Sequence, residues 1–284
     1  MSDAVRPCAL SVAGLDPSGG AGFLADIKAF HAAGAWGCAV AAVLTVQSTA
    51  GLASVHPIDS SLVRAQVERI FRHQSIRAWK TGALGSSDNV ALAVALSEEY
   101  PDAPLVVDPV IVATRTDAGA RLLDTEALSI LRRLVSRSTL VTPNIEEAEA
   151  LLGARVTTLE EARAAALALV SMGASAALVK GGHLTGPMAV DVLATRTKIH
   201  FVEAPRVALA GDFHGGGCTL SALITGRLAL RPGMVDEELL LDAVQWSKRL
   251  LSRAIEASAR VGEGLRVLAV MESSEVVAPG VSGR

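Results

Sequence analysis

The sequence predicts an α/β fold: a central, mostly parallel β-sheet with helices on both faces, in a single domain. Three observations carry this. Short continuous apolar runs alternate with longer amphipathic stretches almost from end to end. The runs are aliphatic, as strands covered on both faces are; half of the residues are hydrophobic and only 3% aromatic. Polar residues recur where runs end, at Asp108, Asn144 and Lys180, and open α/β sheets bind ligands at the carboxyl ends of their strands.

In chain order, residues 8–13 form the first strand, which stops at Gly14. A loop over 14–22 follows, then Phe23, Ile27 and Phe30 at helical spacing. Residues 36–47 are a second strand, 60–73 a helix with Leu62, Val63, Val67, Ile70 and Phe71 on one side, and 76–80 a strand. A helix over 86–97 opens on Ser-Ser-Asp. The strand at 105–107 ends in Asp108-Pro109, and that at 140–141 ends in Thr142-Pro143-Asn144. Helices over 145–152 and 159–172 come next, then a strand at 176–179 that ends in Lys180-Gly181-Gly182-His183. Residues 190–195 and 198–202 read as a hairpin. A glycine-rich loop, Gly211 to Gly217, runs into a helix carrying Leu220, Ala222, Leu223, Ile224 and Leu228, and 237–259 is a last long helix. Residues 1–7 are a tail, 8–272 the domain, and 273–284, with Gly, Pro and Ser, a loosely ordered tail.

Composition narrows the partners. The net charge is −3 and no basic run occurs, so nucleic-acid binding has no electrostatic support. No apolar run reaches the roughly 20 residues of a membrane span, and the first residues lack a signal-peptide core. Cys8, Cys38 and Cys218 show no metal-like spacing and suit a reducing cytoplasm.

The chain is organised around Asp212-Phe213-His214-Gly215-Gly216-Gly217-Cys218. Three glycines before a helix leave unpaired N–H groups and the positive end of a dipole open to an anion. Cys218 in that first turn is expected to ionise more readily than a free thiol of pKa about 8.5; the plain alternative is a tight loop and a half-buried cysteine. Gly20-Ala21-Gly22-Phe23-Leu24-Ala25 matches a dinucleotide fingerprint, but the next strand ends in Val46-Gln47-Ser48, without the acid that a ribose needs. No Walker loop occurs. Asp26 is either a solvated first-turn acid or a carboxylate for a substrate hydroxyl or amino group. Gln47 either pairs with a heterocycle edge or satisfies a loop. Asn144 and Glu147 fit a capping box, or hold a hydrated Mg²⁺ that bridges phosphates. Lys180 beside two glycines suits a phosphate contact.

Taken together, these pieces resemble the hydroxymethylpyrimidine/phosphomethylpyrimidine kinases of thiamine biosynthesis, in the vitamin-kinase branch of the ribokinase-like superfamily. The resemblance runs from about residue 8 to 259. It rests on the stretch from Ala13 to Gly22 with Ala25-Asp26, Thr45-Val46-Gln47-Ser48-Thr49, Lys80-Thr81-Gly82, Leu84-Gly85-Ser86 and Val107-Asp108-Pro109-Val110. Thr142-Pro143-Asn144 with Glu147, Val179-Lys180-Gly181-Gly182-His183, and His214-Gly215 with Gly217-Cys218-Thr219 complete it. It implies phosphoryl transfer from ATP, with Mg²⁺, to a pyrimidine substrate in a cytoplasmic homodimer. Gly14, Asp26, Gln47, Ala83 and Val110 would then meet the pyrimidine. Gly215, Gly216, Gly217 and Cys218 would form the catalytic anion hole, Cys218 standing where related kinases carry an aspartate base. Asn144 and Lys180 would contact ATP, and Asp108 and Glu147 the metal. The chain departs from the family pattern at Phe213 and Gly216, both usually threonine, at Ala83, usually methionine, and at Arg115-Thr116, usually Ser-Gly. Two other readings stay open here: a pyridoxal-type kinase, and a ligand-binding homologue with weakened catalysis.

Overall fold

The computed structural model describes residues 5–111, 123, 127–182, 186–208, 212–231 and 233–270. The tail at 273–284, Arg115, Thr116, His183 and Gly211 lie outside the described residues.

In chain order the elements are β1 (Cys8–Leu15), α1 (Gly22–Ala32), β2 (Trp36–Ser48), β3 (Gly51–Pro57), α2 (Ser60–His73), β4 (Ile76–Thr81), α3 (Ser87–Glu99), β5 (Leu105–Val107), α4 (Ala127–Val135) and β6 (Leu140–Val141). Then follow α5 (Ile145–Leu152), α6 (Leu159–Ser171), β7 (Ala176–Val179), β8 (Met188–Thr195), β9 (Ile199–Pro205), β10 (Phe213–His214), α7 (Gly216–Ala229), α8 (Glu237–Glu256) and β11 (Arg266–Val267). One nine-stranded sheet runs β3-β2-β1-β4-β5-β6-β7-β8-β9. Its central run, β2-β1-β4-β5-β6-β7, is parallel, and the edges β3, β8 and β9 pair antiparallel. This is the expected fold.

The pleat sends successive residues to opposite faces. In β1 and β4, Leu10 and Trp79 join one core with α2, α3, α4 and α6. Their neighbours Ala9 and Ala78 join a second core with Phe30, Leu223 and Leu250 of α1, α7 and α8. Among the described residues, four elements go beyond the sequence reading: β3, α4, and the short parallel pair of β10 and β11, with β10 inside the expected loop before α7. The segment Gly51–Pro57 is a strand, although of its residues Leu52 alone is buried, which leaves no apolar run to recognise. Helix α4 lies between β5 and β6, where no helix was expected.

Candidate active site

A cavity of about 780 Å³ opens at the carboxyl ends of the parallel strands. Its lining includes Gly14, Asp26, Gln47, Ala83, Asp108, Val110, Asn144, Glu147, Lys180, Gly215, Gly216, Gly217 and Cys218. The sheet topology thus brings all thirteen sequence-predicted residues to one place. The strand ends carry Asp108, Asn144 and Lys180 there in parallel, with an Asn144–Lys180 bridge continuing the ladder past β6 and β7.

The helix termini differ in a way that bears on chemistry. Helices α2, α3, α5, α6 and α8 begin on side-chain caps from Asp59, Ser86, Asn144, Thr158 and Asp236. Helices α1 and α7 begin on Ala21 and Gly215 and have none. Both residues line the cavity, so two helix termini without a side-chain cap meet it. Gly215 has φ +82°, and a Cβ there would collide with the Gly20 carbonyl; its bareness lets the two loops touch. Lys180 Nζ comes within 2.9 Å of where a Cβ on Gly217 would stand, which sets an ammonium beside the α7 terminus.

Lys180 also pairs with Asp108 at 3.3 Å and faces Glu147 at 3.9 Å. Asp108 is 2% exposed and accepts from Ser221 Oγ at 3.2 Å. Burial would raise its carboxyl, but Lys180, Lys80 and these hydrogen bonds outweigh it and hold it low. At Glu147 burial wins over Lys180, with Asp108 adding to it, and lifts the carboxyl to about 7. Glu147 accepts from Asn144 N–H at 2.8 Å while Asn144 Oδ1 accepts from Glu147 N–H at 2.8 Å. The capping box is therefore formed.

Asp26 is not a solvated acid. It is fully buried and takes both carboxylate oxygens to Lys80 Nζ at 2.9 Å, and it accepts from Ser11 Oγ at 2.6 Å. The sequence reading gave Lys80 no role. The carboxylates of Asp26 and Asp108 overcome burial and raise the Lys80 ammonium.

The expected acid thiol is corrected. Cys218 is half-buried; this desolvation, then the nearby Asp108, pushes its thiol up to about 12, against the opposing pull of Lys80 and a hydrogen bond from Gly22 N–H.

A second unforeseen residue is Asp16. It accepts from Ser18 and from Ala21 N–H at 2.9 Å, and it lies 2.9 Å from His214 Nε2. Gln47 Nε2 is 3.1 Å from the same nitrogen, and Gln47 Oε1 accepts from Thr45 Oγ1 at 3.2 Å. This chain of contacts ties the loop before α1 to β10 and to the end of β2. Two of the departures from the family pattern also meet in space. A Cβ on Gly216 would sit 2.6 Å from Phe213 Cε2, so the ring of Phe213 and the bareness of Gly216 are one substitution in space.

Comparison with known proteins settles the lineage. The sequence profile described as phosphomethylpyrimidine kinase matches residues 16–269. The chain belongs to this family. The hydroxymethylpyrimidine/phosphomethylpyrimidine kinase of Escherichia coli is 39% identical over 261 residues, 90% of this chain and 94% of that protein. A thiamine biosynthesis bifunctional protein of Geobacter sulfurreducens is 37% identical over 91% of this chain, which spans 51% of that longer protein. Among solved structures, the phosphomethylpyrimidine kinase of Clostridium difficile superposes with a TM-score of 0.74 at 32% identity, covering 88% of this chain and 100% of that one. An ADP complex of Bacillus subtilis pyridoxal kinase superposes with a TM-score of 0.81 at 29% identity, covering 93% and 97%. The phosphomethylpyrimidine kinase family and a pyridoxal kinase thus share this fold.

Proposed function

We propose that the protein is an ATP-dependent phosphotransferase of thiamine biosynthesis. Its substrate is 4-amino-5-hydroxymethyl-2-methylpyrimidine, its monophosphate, or both. The observation that supports this most is the meeting of two uncapped helix termini and Lys180 in one cavity with the Asp26–Lys80 pair. One part of the cavity offers anion-binding groups and the other offers partners for a polar ring.

In this reading Gly14, Gln47, Ala83 and Val110 surround the pyrimidine, and Asp26, already held by Lys80 and Ser11, backs that wall of the cavity. Asn144 and Lys180 meet the ATP phosphates. Asp108 and Glu147 offer two carboxylates, the number that suits Mg²⁺ when phosphates and waters supply its other ligands. Bound there, Mg²⁺ would offset phosphate charge. The N–H groups at 215–218 would stabilise charge on the transferring phosphoryl, which passes through a loose transition state and needs mainly positioning. Cys218 would orient the attacking hydroxyl. Residues 8–272 would work as one kinase domain, in the cytoplasm and as a homodimer.

A coupled assay of ATP turnover tests the reading. Hydroxymethylpyrimidine or its monophosphate should support turnover, and pyridoxal should be weaker. Preference for pyridoxal would favour the pyridoxal-type reading, which the small Ala83 and the likeness to pyridoxal kinase keep in view. No turnover with any of the three would favour a ligand-binding homologue. Lys180→Ala should raise KM for ATP by about tenfold or more, the size expected for a lost charged hydrogen bond, and leave pyrimidine binding nearly unchanged. Equal weakening of both would remove Lys180 from the phosphate site.

A further inference from the structure

A further buried ion pair lines the same cavity, between Asp191 of β8 and Lys248 of α8. The two residues are 2% and 7% exposed, and Lys248 Nζ lies 2.5 Å from Asp191 Oδ2. The other oxygen, Oδ1, accepts at 3.0 Å from the backbone N–H of Gly181. Gly181 follows Lys180 directly. Lys180 N–H in turn donates to the Pro143 carbonyl at 2.9 Å, so the backbone is held on both sides of the residue whose ammonium reaches Asp108.

A charge inside an apolar strand is costly unless paired and hydrogen-bonded. Asp191 sits among Val190, Val192 and Leu193, and a hydrophobic residue there would fill the core with no such requirement. The pair therefore calls for a local reason, and the Gly181 amide supplies one. Past the Asn144–Lys180 bridge the chain leaves the sheet ladder, and Gly181 N–H needs an acceptor there.

We propose that Asp191 is a positioning residue for phosphoryl transfer. Through the Gly181 amide it fixes the backbone of Lys180, and so the place of the Lys180 ammonium between Asp108 and the α7 terminus. Lys248 balances the buried charge and aims the carboxylate. The proposal rests on the reading of Lys180 as the ATP-phosphate contact.

Two double variants isolate the effect. Asp191→Asn with Lys248→Met and Asp191→Leu with Lys248→Met are both neutral and differ in whether residue 191 offers an oxygen to Gly181. The leucine variant should show KM for ATP about tenfold above the asparagine variant, the scale of one lost hydrogen bond. Their KM values for the pyrimidine should agree within about twofold. A merely structural role would lower the melting temperature and shift both KM values together; that result, or equal KM for ATP in the two variants, overturns the proposal. Asp191→Ala with Lys248→Met makes the same comparison should the leucine variant not fold. Lys180→Ala is measured alongside. If it raises KM for ATP while the two double variants agree, the positioning role alone fails. If it leaves KM for ATP unchanged, the phosphate-contact reading fails and takes the positioning role with it.

Discussion

At Cys218 two electrostatic effects oppose each other. First-turn N–H groups favour a thiolate by about 0.3–1 kcal/mol, less than the roughly 1.4 kcal/mol that moves a pKa by one. Desolvation and the Asp108 charge act the other way and push the thiol up to about 12. The thiol is thus protonated near neutral pH and is already occupied as a proton acceptor. Iodoacetamide should label Cys218 more slowly than a free thiol up to about pH 9, with peptide mapping to separate it from Cys8 and Cys38; fast labelling near neutrality would restore the acid thiol. Cys218→Ser should lower kcat by less than about tenfold, because the backbone N–H groups remain, whereas a loss of about 10²–10⁴ would mark a general base. Asp26 invites a different caution. Asp26→Ala strands Lys80 in a site that is 0% exposed on both sides, and breaking a buried pair costs about 3–5 kcal/mol. In urea unfolding, Asp26→Ala should therefore be much less stable than Asp26→Asn with Lys80→Met. Equal stability would mean that the pair is not buried as described.

At the scale of the element, the start of α5 shows one residue serving two ends. Glu147 caps the helix through Asn144 N–H, and its carboxyl is raised from 4.5 to about 7 by burial. Folded protein then holds a proton that unfolded protein releases over this range, so stability falls as pH rises from 4.5 to about 7. Glutamine keeps the capping geometry and cannot titrate. The loss of melting temperature between about pH 5 and about pH 8 should therefore be smaller in Glu147→Gln than in the wild type. An unchanged difference would place the Glu147 carboxyl at its ordinary value. The same substitution should move the Mg²⁺ requirement of turnover to higher concentration if Glu147 serves the metal. An unmoved curve would leave it only the cap.

For the whole molecule, the open question is assembly. Leu44 and Val46 on β2 are 40% and 56% exposed, and Trp36 at its start is 55% exposed. Such residues beside the sheet edge suit a second copy of the chain. Light scattering should give about twice the chain mass of 29.3 kDa, and Leu44→Asp with Val46→Asp should bring it down to one chain. A wild-type mass of 29.3 kDa would rule the dimer out.

The strand–helix alternation, the parallel sheet and the polar strand ends were legible in the residues, because apolar period and turn chemistry are local. The bare start of α7 was legible for the same reason, although Phe213–His214 pair with β11 as a strand and Gly216 and Gly217 already belong to the helix. Strand β3 was not, since pairing with β2 holds it and its own pattern does not. The buried charges were half visible. Lys80 after Trp79 and Asp191 within an apolar run signal that a partner must exist, because an unpaired charge is not buried. Nothing along the chain says that the partners are Asp26, 54 positions away, and Lys248, 57 positions away. The ionisation of Cys218 is of the same kind. Its helix terminus is a local fact. Its desolvation and the carboxylate beside it come from β5 and the packing of α7 on the sheet, so the forces that decide its charge arise only once the chain has folded.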